Sequence, residues 1–106
     1  MRSFLAGVGL GALLLCGLAV AAFASEDPVA RGARVFQNAR PSCRTCHNPQ
    51  SYPLDGYGRR GSPGEARAWI TQPDVMFKKT GKRGKKPRYK MPPGDLDALV
   101  AFVMSR

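Results

Sequence analysis

Histidine occurs once in this chain of 106 residues, tryptophan once and cysteine three times. Acidic residues are also few, 7 Asp and Glu against 17 Lys and Arg. No stretch alternates apolar and polar residues as a half-buried strand does, and no segment repeats. Each shortage excludes something. A zinc site built on histidines has too few of them, and strand-based architectures such as the dinucleotide-binding fold or the (β/α)8 barrel lack both strands and length. Disorder is excluded from the other side, because 43% of the residues are hydrophobic.

The longest apolar run lies at the N-terminus. Arg2 is followed by an uncharged stretch from Phe4 to Phe23, then by Ala22-Phe23-Ala24 ahead of Ser25, Glu26 and Asp27. Small residues at Ala22 and Ala24 fit signal-peptidase cleavage, so residues 1–24 read as an export signal and residues 25–106 as the working domain. The competing reading is an uncleaved anchor, since 20 apolar residues at about 1.5 Å each are long enough to cross a bilayer. Cys16 reads as one more apolar member of the segment, because Leu15 occupies the place where lipid attachment requires a small residue. Export, to the periplasm in a Gram-negative cell, is the expectation. Removal of the signal leaves 82 residues. A domain of that size buries only about 60% of its unfolded surface and calls for a disulfide, a metal or a cofactor to hold it.

Two cysteines remain, and the histidine adjoins them. Cys43-Arg44-Thr45-Cys46-His47 is C-x-x-C-H, the attachment pattern of a c-type haem. At this composition the pattern arises by chance roughly once in a thousand such chains. Residues three apart on a helical turn lie about 5 to 6 Å apart on one face, which lets both thiols reach one edge of a porphyrin while the next residue turns under the iron. The rivals are weaker. Zinc would need carboxylates to complete its ligands, a thioredoxin-type pair needs a strand–helix frame, and a Cys43–Cys46 disulfide closes too small a loop to stabilise much.

With His47 on one side of the iron, the second axial position decides between electron transfer and ligand chemistry. The mature methionines are Met76, Met91 and Met104. Met104 follows the apolar periodicity of the last helix and reads as a packing residue, and Met76, in a short apolar patch, Asp74-Val75-Met76-Phe77, reads as a packing residue or a contact at the haem rim. Met91, in Tyr89-Lys90-Met91-Pro92-Pro93, lies where two prolines stiffen a non-helical loop that holds a thioether in place.

Three helices are expected. Asp27-Pro28 caps the first, which runs to about Asn38 with Val29, Gly32, Ala33 and Phe36 on one face. Ser62-Pro63-Gly64-Glu65 is a capping box that opens a second helix through Ala66, Trp69 and Ile70, stopping before Pro73. Asp95 and Asp97 stand at the positive end of a third, with Leu96, Leu99, Val100 and Val103 at core spacing to the C-terminus.

Over nearly all its mature length the chain resembles a small class I c-type cytochrome. Gly32-Ala33-Arg34-Val35-Phe36 is similar to that family's first helix, whose glycine admits an aromatic of the last helix, here Phe102. Pro53-Leu54-Asp55-Gly56-Tyr57-Gly58-Arg59 resembles its Pro-x-Leu-x-Gly-x-x-Gly-Arg loop, one residue shorter before and within. Met91-Pro92 before the final helix resembles its distal ligand loop. The resemblance implies an all-α cytochrome c fold, three main helices with long loops around one haem held covalently by Cys43 and Cys46. It implies iron ligation by His47 and Met91, with the other imidazole N–H donated to the Pro53 carbonyl. It further implies that Leu54 and Tyr57 line the haem pocket and that Arg59 pairs with a propionate, Arg60 and Trp69 being the alternative donors. One-electron transport follows, since paired His and Met ligands leave no open site and the single histidine is committed.

From Lys78 to Lys90 the chain carries 8 basic residues in 13 and no acid. Next to Met91, this run reads as a docking surface for an acidic redox partner such as an oxidase, reductase or dehydrogenase, in a respiratory or other periplasmic chain; a solvated loop is the plainer reading. Anionic membrane headgroups are a further candidate surface, and nucleic acid is not, because only Tyr89 interleaves the charges and export keeps the protein from it. A monomeric carrier is the first expectation. The alternatives are a haem subunit of a larger oxidoreductase, for instance in sulfur-compound oxidation, and a ligand-binding or peroxidatic haem protein.

Overall fold

The computed structural model describes residues 26–106; the N-terminal segment expected to be an export signal or an anchor, with Cys16, lies outside them. Among the described residues every regular element is helical: α1 (Pro28–Asn38), a 3-10 turn (Cys43–Thr45), α2 (Tyr57–Arg60), α3 (Pro63–Thr71), α4 (Pro73–Thr80) and α5 (Pro93–Met104). None is long and apolar enough to cross a membrane.

Local chemistry sets the ends of these helices. The Asp27 carboxylate accepts from the Val29 N–H at 3.1 Å, and Pro28 fills the first turn where no N–H is needed. The Ser62 hydroxyl accepts from Glu65 N–H at 3.2 Å ahead of Pro63. Both helices end where expected, at Asn38 and Thr71.

Three expected helices become five, and the missed ones are instructive. Residues Pro73–Thr80, of which Asp74 to Phe77 were expected as a short apolar patch and Lys78 onward as a basic run, form α4. Pro73 supplies a first-turn residue with fixed φ, Asp74 and the Lys78–Lys79 pair complement the helix dipole at opposite ends, and Gly81 at φ 71 closes it in the left-handed region. Lys78 and Lys79 therefore belong to a helix, and the basic loop proper begins at Gly81. The one-turn α2 follows Gly56, at φ 82.

The core is built on α5. Ala98, Leu99, Val100 and Val103 are buried, with Leu96 only half-buried, and Leu99 is the most completely enclosed side chain. The main interface is α1 against α5. It exists at that separation because residue 32 is glycine: a Cβ there would lie 2.6 Å from Phe102 Cβ, 2.7 Å from the Ala98 carbonyl carbon and closer still to its oxygen. Phe36 completes the crossing with its ring 5.0 Å from that of Phe102. Helix α3 also packs on α5, with Ala66 and Ile70 buried in the same core cluster as Leu99, Val100 and Val103. Ion pairs staple the same joints, Arg31 to Asp95 across α1 and α5 and Arg67 to Asp97 across α3 and α5.

Candidate functional site

The C-x-x-C-H string follows α1 as a tight turn. Ser42 caps it by accepting from Arg44 N–H, and the amides of Cys46 and His47 both donate to the Cys43 carbonyl. The two thiols are not joined. Cys43 is buried and belongs to the main core cluster, whereas Cys46 is exposed. Burial pushes the Cys43 thiol up, against a downward pull from the Lys86 ammonium.

His47 is half-buried, its ring 6.3 Å from that of Phe36. Its Nδ1 lies 2.9 Å from a backbone carbonyl, and that carbonyl belongs to Tyr52, not to Pro53 as expected. The difference has a physical source: Tyr52 N–H donates to the Cys46 carbonyl at 2.9 Å, so the shortened loop folds back one residue early and presents the preceding oxygen. A carbonyl only accepts, so Nδ1 carries the hydrogen and Nε2 keeps its lone pair. Burial also pulls the imidazole pKa down, which favours the neutral, ligating form, with the Tyr52 carbonyl opposing.

Leu54, Tyr57 and Met91 are half-buried and pack against the same cluster that contains Cys43. The Tyr57 hydroxyl is buried with no hydrogen-bond partner. Met76 is buried at the base of α4 and Met104 packs against the α5 core, in keeping with packing roles for both. Three expected residues stand apart from this cluster. Pro53 and Arg59 are exposed, and Arg59 has no carboxylate partner. Trp69 is half-buried and sets its ring edge-on against Phe77 of α4, 5.0 Å away. Arg60 donates to the Asp55 carbonyl and braces the loop.

Tyr89 and Lys86 are the residues the sequence reading passed over. Tyr89 is buried, its N–H donates to the Ile70 carbonyl at 3.0 Å and its hydroxyl to the Pro41 carbonyl, which ties the basic loop to α3 and to the cysteine turn. Desolvation, with the Cys43 sulfur next, pushes its phenol up to about 12. Lys86 is half-buried with its ammonium 5.2 Å from the centre of the Tyr89 ring, and burial lowers its pKa. The available signal was a lone aromatic inside a run of cations.

The one imidazole is fixed by a backbone carbonyl and no acid accepts from it. No strand frames the cysteines, and among the described residues no group of three or more His, Cys, Asp or Glu side chains is disposed to hold a metal ion. What the turn does present is two unpaired thiols and an imidazole held by its Nδ1 within five residues, while the half-buried Met91 packs against the same core cluster as Cys43. Comparison with known proteins adds no relative, because no family model, curated protein or solved structure matches the chain.

Proposed function

We propose that the protein is an exported monohaem c-type cytochrome that carries single electrons between periplasmic or respiratory redox partners, with the haem attached at Cys43 and Cys46. One observation carries the reading: the turn that bears two free thiols also fixes His47 by its Nδ1, leaving Nε2 as an iron ligand.

The donor set suits the group. Thiols form the thioethers, imidazole and thioether are the axial ligands of electron-carrying haems, and the orphaned Tyr57 hydroxyl calls for an acceptor such as a propionate. A haem held there supplies a one-electron iron couple. The chain's own residues do the rest. The Tyr52 carbonyl would set the imidazole tautomer and plane, Met91 from its proline-stiffened loop would supply the second ligand, and Phe36, Leu54 and Tyr57 would help to exclude water. Arg59, being exposed, is a weaker candidate for a propionate than Tyr57.

The test is the optical spectrum of the purified mature protein and of Met91→Ala. The oxidised wild type should show a methionine-to-ferric charge-transfer band that the variant lacks, and the reduced wild type should ignore carbon monoxide while the variant binds it. Carbon monoxide binding by the wild type would overturn the Met91 ligand and favour a ligand-binding or peroxidatic protein. Absence of haem from both would overturn the reading altogether.

A further inference from the structure

All six lysines of the chain fall between Lys78 and Lys90, and all seven acids lie elsewhere. The structure divides the two kinds of cation by task. Among the described residues the five ion pairs are Arg31–Asp95, Arg34–Glu26, Arg67–Asp97, Arg88–Asp74 and Arg106–Asp55, every one made by an arginine. The two remaining acids, Asp27 and Glu65, sit at helix N-termini. No lysine is paired to a carboxylate. Arginine's planar fork suits fixed pairs, whereas lysine's hydrated point charge on a flexible stem suits contacts that form and break.

Three of these lysines border an open groove of about 820 Å³ between α4 and the basic loop. Pro73, Val75 and Phe77 give it apolar walls, and Lys78, Lys85 and Lys86 ring it. Val75 is 49% exposed, one of two large hydrophobics left so open among the described residues. Phe77 is backed by Trp69, and the loop closes over it where Gly84 passes against the ring. The Asp74–Arg88 pair joins the two walls at 3.0 Å.

We infer that this groove is the docking site for an acidic segment of a partner protein, which inserts an apolar side chain between Val75 and Phe77 while its carboxylates meet Lys78, Lys85 and Lys86. The inference rests on the reading of the basic run as a docking surface and specifies where and how it docks. Charge complementarity selects the sign of the occupant. Shape selects its kind, since an open trough with an apolar floor takes a protruding side chain better than a flat lipid surface, and is too open to enclose most of a small molecule. The cations then set the association rate and its salt dependence, and the apolar contact sets a salt-resistant part of the affinity.

The probes are a short fluorescent peptide of glutamates around one central phenylalanine and the same peptide with alanine at the centre. They are titrated against the full mature protein and its exposed-site variant Val75→Glu, whose fold is checked by circular dichroism. The phenylalanine peptide should bind the wild type about tenfold more tightly than the alanine peptide, a preference equal to about 1.4 kcal/mol. The preference should survive added salt and vanish in Val75→Glu. Equal, salt-sensitive binding of both peptides would overturn the groove while leaving electrostatic docking intact. Failure to bind either, with binding to phosphatidylglycerol vesicles instead, would overturn both and identify a membrane surface. Binding is read without reference to haem, so this outcome and that of the optical spectrum are independent.

Discussion

Replacing Gly32 by alanine puts one methyl group into the tightest joint of the fold. The new Cβ would stand 2.6 Å from Phe102 Cβ and closer to the carbonyl oxygen of Ala98. Carbon contacts are comfortable at about 3.5 to 4 Å, so α1 and α5 must part by on the order of 1 Å. The Ala98 oxygen is backbone and cannot swing away as a side chain would. Overpacking of this kind costs about 1–3 kcal/mol, and a rigid neighbour places it near the upper end. Alanine returns about 1 kcal/mol through its better helix propensity. The net loss is about 2 kcal/mol, a fall in Tm of roughly 8–16 °C for a domain of this size. Gly64→Ala is the matched control, because a Cβ there meets nothing within 4 Å and the site is in the first turn of α3. It should be neutral or stabilise by up to about 1 kcal/mol. Thermal and urea unfolding followed by far-ultraviolet circular dichroism measures both. If Gly32→Ala proves as stable as Gly64→Ala, the close crossing of α1 and α5 is not what holds this fold.

Other perturbations probe the loop and its charges. Tyr89→Phe removes the hydroxyl that donates to the Pro41 carbonyl and should cost about 1 kcal/mol, with amide exchange across residues 81–92 accelerating in mass-spectrometric measurement. The Asp74 carboxyl is held below its usual range chiefly by the hydrogen bond from Arg88. Its depressed folded pKa means that the pair stabilises above the unfolded carboxylate value of about 3.9 and loses that contribution as pH falls through the folded value. Unfolding curves of wild type and Asp74→Asn should therefore differ slightly at pH 7 and converge in acid. On the proposed haem-carrying reading, oxidation of the reduced protein by ferricyanide should slow as salt rises, and exchange of Lys78, Lys79, Lys82 and Lys85 for glutamine should slow it about tenfold at low salt and flatten that dependence, in stopped-flow measurement.

Helix starts were legible wherever a side chain caps the backbone. Asp27 and Ser62 announce α1 and α3 because each satisfies an N–H that the helix itself cannot. Helix α4 was hidden for the opposite reason: its N-cap, Gln72, makes no side-chain bond, and its cationic last turn merges into the basic run. Its real signals were Pro73 at the start and Gly81 at the end. The cysteine turn was legible because two cysteines three apart with a histidine next to them form a pattern that this composition rarely produces by chance. The Tyr52 carbonyl was not, since a one-residue shift in a loop changes which oxygen faces His47 without changing any residue type.

What composition concealed altogether is the division between arginine and lysine. Summed charge treats the two alike and gives one strongly basic protein. The structure assigns arginine to the joints of the fold, at α1–α5 through Arg31, at α3–α5 through Arg67 and at the groove through Arg88, and leaves lysine unpaired around Val75 and Phe77. Exposed ion pairs of this kind contribute little each, so removing any one arginine should leave the domain folded. The lysines contribute nothing to those joints, and three of the six, Lys78, Lys85 and Lys86, stand at the groove with an exposed apolar wall. That is the physical reason to seek the partner at this groove and not over the basic surface as a whole.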